Sequence, residues 1–115
     1  MLKTISITIS ALTIVSCGAS KKTPAPSIIP TETQLKAIQV KYPDVTMQTL
    51  TNGHAIYTGA CTNCHGMKNL YKRSEESWKH EVDVMAPKAK ITDSQKDELF
   101  KYILSMKASQ PNDIK

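Results

Sequence analysis

The apolar positions in the last quarter of the chain recur at the spacing of an amphipathic α-helix. Residues 92–95, Thr-Asp-Ser-Gln, have the form of a capping box, which typically marks the first turn of a helix. Four apolar residues then fall at positions i, i+3, i+4 and i+7: Leu99, Tyr102, Ile103 and Met106. This pattern predicts a helix that begins after Thr92 and buries one face.

A second stripe of this kind covers residues 44–60, where Asp44 after Pro43 is suited to cap a helix. The members of the stripe are three or four positions apart: Met47, Leu50, His54 and Tyr57. Gly53 inside this helix costs about 1 kcal/mol relative to alanine, so we expect another backbone or ring to pack closely there. The expected partner is the Tyr102 side of the last helix.

A third helix is predicted to begin at Ser74, which is followed by two glutamates. Its apolar face consists of residues at i, i+4 and i+7: Trp78, Val82 and Met85. His80 lies on the opposite side and should be solvated. Ala86 precedes Pro87, and a residue before proline is biased away from helical geometry, so we expect Met85 to lie where the helix gives way to a restrained loop. Helices alone are predicted, which makes the fold class all-α.

The amino terminus has the pattern of an export signal. Lys3 precedes an uncharged run over residues 4–15 that is too short to span a bilayer. Residues 14–18, Ile-Val-Ser-Cys-Gly, resemble the lipobox of bacterial prolipoproteins, so residues 1–16 are interpreted as a lipoprotein signal peptide and Cys17 as the lipidated first residue. The alternative is an ordinary signal peptide with a cysteine nearby. Either one places the domain outside the cytoplasm, and the lipid would anchor it to a membrane of the cell envelope with the folded part in the periplasm.

The proline-rich residues 17–30 lack periodicity and are interpreted as a tether, and residues 31–115 as the folded domain. The alternative is a packed arm, since Ile28 and Ile29 could dock. A length of 115 residues excludes a large enzyme, and a hydrophobic fraction of 40% with 22% charged residues excludes a polytopic membrane protein and a disordered chain. About 85 residues of short helices bury little apolar surface on their own, so a further stabilising link of some kind is expected.

Residues 61–65, Cys-Thr-Asn-Cys-His, form the motif C-x-x-C-H, which is typical of covalent attachment of c-type haem. On one helical turn, Cys61 and Cys64 can each add to a haem vinyl group while His65 presents its imidazole to the iron. A zinc site using His54 or His80 lacks the usual ligand spacing, and a thioredoxin-like dithiol would need a preceding strand. A disulfide between the two cysteines would leave the histidine without a role. With three cysteines in the chain, one is assigned to lipid and two to vinyl groups.

The chain resembles the class I, single-haem cytochrome c family over residues 44–106. The residues that carry the resemblance are Leu50, Gly53, Tyr57, Cys61, Cys64, His65, Met85, Leu99, Phe100, Tyr102 and Ile103. The resemblance implies a cytochrome c-like fold, with short helices wrapped around one haem c, and a methionine as second axial ligand. Members of the family usually carry a proline-containing loop after the histidine, with a carbonyl that orients the imidazole. Residues 66–71 of this chain contain no proline, so the carbonyl that orients His65 is not identified.

His65 is the expected proximal ligand, and six residues compete for the distal position: Met47, Met67, Met85, Met106, His54 and His80. Met67 is too close to His65 in sequence to reach the other haem face, and Met47 and Met106 lie on the apolar stripes of two crossing helices. Met85 is therefore the predicted ligand, the alternative being a last core residue of its helix. Two filled axial positions leave no site for substrate, which predicts an electron carrier and not an enzyme. A small haem enzyme or sensor with an open iron site is the rival, with a non-haem zinc module as another.

The formal charge is +5 and the pI about 9.2. Six basic residues lie between the haem motif and the last helix: Lys68, Lys72, Arg73, Lys79, Lys88 and Lys90. They are expected to frame the exposed haem edge and to steer an acidic redox protein of the cell envelope, or else simply to keep the surface soluble. Nucleic acid is not expected as a partner, because the protein is expected to be exported and to lack base-stacking aromatic residues near a basic groove. Trp78 is expected to line the haem or its propionates, or else to be an ordinary core residue.

Overall fold

The computed structural model describes residues 18, 27–61 and 69–110 of the chain. The α-helices in these ranges are α1 Glu32–Gln39, α2 Met47–Ile56, α3 Glu75–Ala89 and α4 Asp93–Ala108. A π-helical turn, Tyr57–Cys61, continues α2. No strand occurs within the described ranges, which confirms the all-helical prediction.

Helix α4 is the centre of the fold and contacts each of the other three helices. Thr92 and Gln95 form the predicted capping box: the Thr92 hydroxyl accepts from the Gln95 backbone N–H at 3.2 Å, and the Gln95 side chain accepts from the Thr92 backbone N–H at 2.9 Å. The predicted apolar face, Leu99, Tyr102, Ile103 and Met106, is entirely buried. Leu104 and Ser105 are buried as well, so this helix is enclosed on most of its circumference.

The crossing of α2 and α4 takes place at Gly53, as predicted. A Cβ atom at this glycine would lie 2.5 Å from the Cβ of Tyr102 and even closer to the carbonyl oxygen of Glu98. Asn52 beside it donates from Nδ2 to the Glu98 carboxylate at 2.9 Å. The absence of a side chain at Gly53 therefore allows the two backbones to approach, and the crossing buries Leu50 completely.

The predicted N-cap of α2 was wrong by two residues. Thr46, and not Asp44, is the N-cap, and its hydroxyl accepts from the Thr49 backbone N–H at 3.3 Å. The reason lies just upstream, where Val45 is buried and its N–H donates to the Tyr42 carbonyl at 3.2 Å, which holds residues 42–45 in a turn. Asp44 instead lies 4.0 Å from the Lys101 ammonium on α4.

The predicted end of α3 was also wrong. Ser74 is the N-cap as expected, but the helix continues beyond Met85 and through Pro87 to Ala89. Pro87 lacks an N–H and so leaves the Asp83 carbonyl without its helical donor. The bias against helical geometry at Ala86 is overcome because its side chain is buried and its carbonyl accepts the Ile91 N–H at 3.2 Å, which closes a Schellman motif around left-handed Lys90 (φ 55°).

Helix α1 was not predicted. Thr31 is its N-cap, and the Thr31 backbone N–H donates to the Gln34 side chain at 2.9 Å. The helix packs on α4 and α2 and contributes to a second apolar cluster, which we call the α1 cluster: Ile38, Val45, Leu50 and Leu104.

Part of the residues 17–30 interpreted as a tether is packed. Ile28 contacts the core, and its carbonyl accepts a hydrogen bond from the Tyr102 hydroxyl at 2.6 Å. Ile29, the other residue considered for docking, is 61% exposed. Within the described ranges, every helix is too short or too polar to cross a membrane.

Candidate functional site

The candidate site begins where α2 changes from α-helical to π-helical geometry. The Thr58 hydroxyl donates to the His54 carbonyl at 2.9 Å. This side-chain hydrogen bond competes with the regular backbone hydrogen bonds of the helix at the point where the π-helical turn begins. Cys61 is the last residue of this turn, and its side chain is half-buried. The first cysteine of the C-x-x-C-H motif is thus held at the end of a helix that is itself fixed by the Gly53 crossing.

Cys61 packs against the larger of the two apolar clusters, which we call the main cluster. Its buried members are Tyr57, Leu70, Trp78, Val82, Leu99, Tyr102, Ile103 and Met106. These residues come from the π-helical turn, the connection before α3, α3 and α4, so Cys61 lies at the edge of a surface to which four segments of the domain contribute. Apolar surroundings of this kind suit the attachment of a largely apolar macrocycle.

The other predicted haem-attachment residues, Cys64 and His65, lie outside the described residues, and so do Met67 and Lys68. The predicted lipidation residue Cys17 lies outside them as well. Of the predicted site, the structure therefore describes Cys61 and Met85.

Met85 is half-buried and lies one helical turn beyond Val82. Helix α3, which carries it, contacts both α4 and the π-helical turn that ends in Cys61. Trp78 and Val82 on the same face belong to the main cluster. The helix that carries Met85 therefore contacts the turn that carries Cys61. Ligation of iron by Met85 stays a prediction.

The competing ligands in the described ranges have other environments. His80 is exposed, as expected, and Met106 is 1% exposed within the main cluster, as expected for core packing. His54 is half-buried, with its ring edge-on to Tyr102 at 5.5 Å between centroids. Met47 is half-buried near the start of α2.

Trp78 is 3% exposed, and its indole N–H donates to the Leu70 carbonyl at 2.9 Å. An indole has a single N–H, so this bond favours the core interpretation of Trp78 over a propionate contact. The Leu70 carbonyl is a site component that sequence reasoning missed, and no residue pattern identifies a particular backbone oxygen as an acceptor.

Two further contacts hold the connection between the motif and α3. Tyr71 donates its backbone N–H to the Asn69 side chain at 2.9 Å, and the Lys107 ammonium donates to the Arg73 carbonyl at 2.5 Å. Lys107 lies in the last turn of α4, far away in sequence, and was also missed. Together with Trp78 these contacts fix the 69–73 segment, which has no regular secondary structure of its own.

Tyr102 connects the site to the amino-terminal arm. Burial raises the pKa of the Tyr102 phenol above its ordinary value, and the nearby Tyr57 and Tyr71 raise it further. The neutral hydroxyl is therefore strongly favoured, and it is this form that donates to the Ile28 carbonyl. The ring of Tyr57, in the π-helical turn that ends at Cys61, lies 5.8 Å from the Tyr102 ring between centroids.

The predicted basic rim is partly neutralised. Arg73 pairs with Glu81 at 3.3 Å, and Lys79 pairs with Asp83 at 3.3 Å. Lys96, hydrogen-bonded to Asp83, and Lys79 hold the pKa of this carboxyl below its ordinary value. Lys72, Lys88 and Lys90 are exposed, and no ion pair among the described residues involves them.

The described part of the chain holds no group of three or more histidine, cysteine, aspartate or glutamate side chains arranged to bind a metal. The two described members of the predicted haem site nevertheless fit that group chemically. Cys61 offers a thiol at the edge of an apolar cluster, and Met85 offers a half-buried thioether, a soft ligand suited to haem iron. Comparison with known proteins found no matching family model, curated protein or solved structure.

Proposed function

We propose that the chain is an exported, lipid-anchored c-type cytochrome with one haem, which carries single electrons between redox proteins of a bacterial cell envelope. The observation that supports this most strongly is the C-x-x-C-H motif in the sequence, whose first residue, Cys61, ends the π-helical turn and packs at the edge of the main cluster. The first cysteine of a haem-attachment motif thus lies beside an apolar surface that could cover one side of a haem.

Each site residue has a separate task in this proposal. Cys61 and Cys64 provide the two thioether links, His65 provides the proximal ligand and Met85 the distal one. The bound haem would supply the chemistry, a reversible one-electron change at iron. With His65 and Met85 both bound to the iron, the protein would pass electrons without binding a substrate at the metal.

The surrounding residues would set the conditions for that exchange. Trp78, Tyr57 and Val82 belong to a buried apolar cluster and would exclude water from one side of the site. Thioether ligation and a dry, apolar environment both favour the reduced form of haem iron, so these residues would raise the reduction potential. The exposed lysines of α3 and its flanks, Lys72, Lys88 and Lys90, would guide an acidic redox partner to the site.

The anchoring part of the proposal rests on residues 1–18. The signal-like run and the lipobox-like residues around Cys17 support export and lipidation, which would keep the domain in the periplasm at a membrane surface. The described residues that follow join the domain at Ile28, so ten residues, 18–27, would lie between the lipid and the first core contact.

The three cysteines allow the haem and lipid assignments to be tested separately. The full chain is expressed in a bacterial host with cytochrome c maturation machinery, and its mass and pyridine haemochrome spectrum are measured. We expect the mass of one haem plus lipid, loss of lipid alone in Cys17→Ser, and loss of covalent haem in the Cys61→Ser, Cys64→Ser double variant. A wild-type mass without haem contradicts the proposal.

The axial ligand is tested in ferric protein by the absorption band of thioether-to-iron ligation. Met85→Ala should abolish this band, and Met47→Ala, a change at another half-buried methionine, should leave it intact. Absence of the band from the wild type would contradict the assignment of Met85 and support an open iron site. In that event the protein would be expected to bind carbon monoxide or cyanide rapidly.

A further inference from the structure

Helix α2 changes its geometry before it reaches Cys61. The helix is α-helical over Met47–Ile56, and Tyr57–Cys61 continues it as a π-helical turn. Such a turn closes i→i+5 hydrogen bonds instead of the i→i+4 bonds of an α-helix, so it holds about one residue more. π-Helical turns are rare, and they are frequent at functional sites. The position of this turn, directly before the rest of the C-x-x-C-H motif, therefore calls for a physical cause.

The hydrogen bonds of the His54 carbonyl explain where the geometry changes. This oxygen accepts from the Tyr57 backbone N–H and from the Thr58 hydroxyl, the latter at 2.9 Å. A carbonyl oxygen has two lone pairs, so these donors compete with the Thr58 backbone N–H, which would donate to the same oxygen in a regular α-helix. The Thr58 hydroxyl also lies 3.4 Å from the Ala55 carbonyl oxygen. The side chain of Thr58 therefore favours the wider turn over α-helical geometry.

A second threonine of α2 makes the same kind of bond in a part of the helix that stays α-helical. The Thr51 hydroxyl donates to the Met47 carbonyl, four residues earlier, also at 2.9 Å. Thr51 is exposed and has α-helical turns on both sides, which resist a local change because helix formation is cooperative. Thr58 is half-buried and lies two positions beyond Ile56, the last α-helical residue. The hydroxyl of Thr58 therefore acts where the backbone opposes it least.

The wider turn changes the direction in which Cys61 leaves the helix. Successive residues of an α-helix are about 100° apart around the helix axis. With about one more residue in the turn, Cys61 is rotated by about 100° from its place in an uninterrupted α-helix. In the rotation that the structure has, Cys61 packs against the main cluster, and the turn contacts α3, the helix of Met85. The geometry of the turn thus determines how the first attachment cysteine faces the rest of the candidate site.

From these contacts we propose that Thr58 is a positioning residue for Cys61. Its hydroxyl holds the turn in π-helical geometry, and this fixes the rotation of Cys61 relative to the main cluster and to α3. The inference rests on the proposed function for its effect on haem, whereas the placement of Cys61 depends on the described residues alone. The net effect of one hydrogen bond on an equilibrium is about two- to tenfold. Loss of the hydroxyl should shift the turn toward α-helical geometry by a factor of this size.

The test uses the full haem-loaded chain and the variant Thr58→Val, which keeps the shape of threonine but removes the hydroxyl. One measurement is circular dichroism in the haem absorption band, which depends on how the protein surrounds the haem. The other is the rate at which cyanide binds to the ferric iron. We expect altered dichroism and a cyanide rate raised by about threefold or more, because a rotated Cys61 moves the haem relative to Met85 and small displacements have large effects on bonding geometry.

Thr58→Ser and Thr51→Val are the matched controls. The first keeps the hydroxyl at the turn, and the second removes the equivalent bond from the α-helical part of α2. Both should show the dichroism of the wild type and cyanide rates within about 1.5-fold of it. If Thr58→Val behaves like the wild type, or if both valine variants change the measurements equally, the positioning role is wrong. Where the wild type binds cyanide rapidly at an open iron site, the dichroism alone decides between these outcomes.

If Thr58→Val fails to fold, Thr58→Ala takes its place with Thr51→Ala as control, because alanine also lacks the hydroxyl and is the best helix former. A wild type without haem overturns the proposed function, and the role of Thr58 is then tested on that haem-free chain. The measurement is the rate at which iodoacetamide alkylates Cys61, followed by mass spectrometry of proteolytic peptides. This rate should change by about threefold or more in Thr58→Val but not in Thr51→Val, since thiol reactivity depends on exposure. Equal rates in the two variants overturn the positioning role.

Discussion

Gly53 is the residue on which the central helix crossing depends. Its missing side chain leaves room for the Glu98 carbonyl and the Tyr102 Cβ, both of which lie too close for an added methyl group. Gly53→Ala should therefore lower the free energy of unfolding by about 1–2 kcal/mol, since overpacking outweighs the gain of about 1 kcal/mol in helix propensity. Urea denaturation measures this difference.

Gly59 in the π-helical turn is the matched control for that substitution. Among the described residues, apart from its chain neighbours and its own helix backbone, nothing lies within 4 Å of a Cβ atom at Gly59, so Gly59→Ala should not lower the free energy of unfolding and should raise it by up to about 1 kcal/mol through helix propensity. Equal effects of the two substitutions would mean that the close approach of α2 and α4 does not limit the space at Gly53.

Tyr102 links the core to the amino-terminal arm and makes the stability depend on pH. Tyr102→Phe removes the donor to the Ile28 carbonyl and should lower the free energy of unfolding by about 1–2 kcal/mol at neutral pH. The folded-state pKa of this phenol is raised, so its contribution is complete below the unfolded value of about 10 and is lost as the pH rises toward the folded value. The advantage of the wild type over the variant should therefore shrink above about pH 10. A constant difference from about pH 8 to 11 would contradict this account.

At the scale of helices, α3 ends with a residue in a conformation that its type disfavours. Lys90 has a φ of 55° and closes the Schellman motif that lets the helix pass Pro87. A residue with a Cβ pays about 1 kcal/mol for left-handed geometry and glycine pays nothing, so Lys90→Gly should raise the free energy of unfolding by about 0.5–1 kcal/mol.

Lys88 in the same helix is the control for that change. Lys88→Gly removes the same charge two residues earlier but puts glycine inside the helix, and it should lower the free energy of unfolding by about 1 kcal/mol. The two changes in stability, measured by thermal or urea unfolding, should thus have opposite signs. The same sign for both would show that the Schellman closure does not determine where α3 ends.

The helices that sequence analysis placed correctly are those whose caps and apolar faces are local. Helix α4 has its capping box and the four predicted buried residues within one stretch of sequence. In α2, a glycine inside an amphipathic stripe indicated the close crossing at Gly53. Helix α1 was missed because Ile38 is its one fully buried residue, although a capping pair, Thr31 and Gln34, is present. The path of α3 beyond Pro87 depends on burial of Ala86, which follows from tertiary packing and not from local preference.

The candidate site was predictable to the extent that residue type determines chemistry. Cys61 and Met85 could be selected because thiols and thioethers are distinctive groups. The Leu70 carbonyl could not be selected, because every residue has the same backbone carbonyl oxygen whatever its side chain is. The Lys107 contact joins residues far apart in sequence and exists only once α3 and α4 have packed. Contacts between residues far apart in sequence that support a site can therefore be identified only from the structure.

At the scale of the whole molecule, α4 contributes buried residues to two apolar clusters. The main cluster, on which Cys61 packs, lies with α3 and the π-helical turn, and the α1 cluster includes Leu104 of α4. Phe100 packs against both. The candidate haem site is thus associated with one part of the domain, while α1 packs on α2 and α4 and has Lys36 exposed on its surface.

This arrangement allows the effect of a charge's position on electron transfer to be distinguished from the effect of the net charge. Lys88→Glu and Lys36→Glu alter the charge of the protein equally, but Lys88 lies on α3, the helix of Met85, and Lys36 lies on α1. We expect Lys88→Glu to slow electron transfer from the reduced protein to ferricyanide, an anion, by about threefold more than Lys36→Glu does at low ionic strength.

Stopped-flow mixing at increasing salt measures the difference between these two variants. At an ionic strength of about 1 M the screening length falls to about 3 Å, so the two rates should converge there. The Lys88→Glu change also places a negative charge near the carboxyl end of α3, at a cost of about 0.5 kcal/mol, so thermal unfolding is used to verify that both variants remain folded during the measurement. Equal slowing by the two variants at low salt would mean that the anion responds to net charge alone, and that the lysines of α3 do not mark the place where electrons leave the protein.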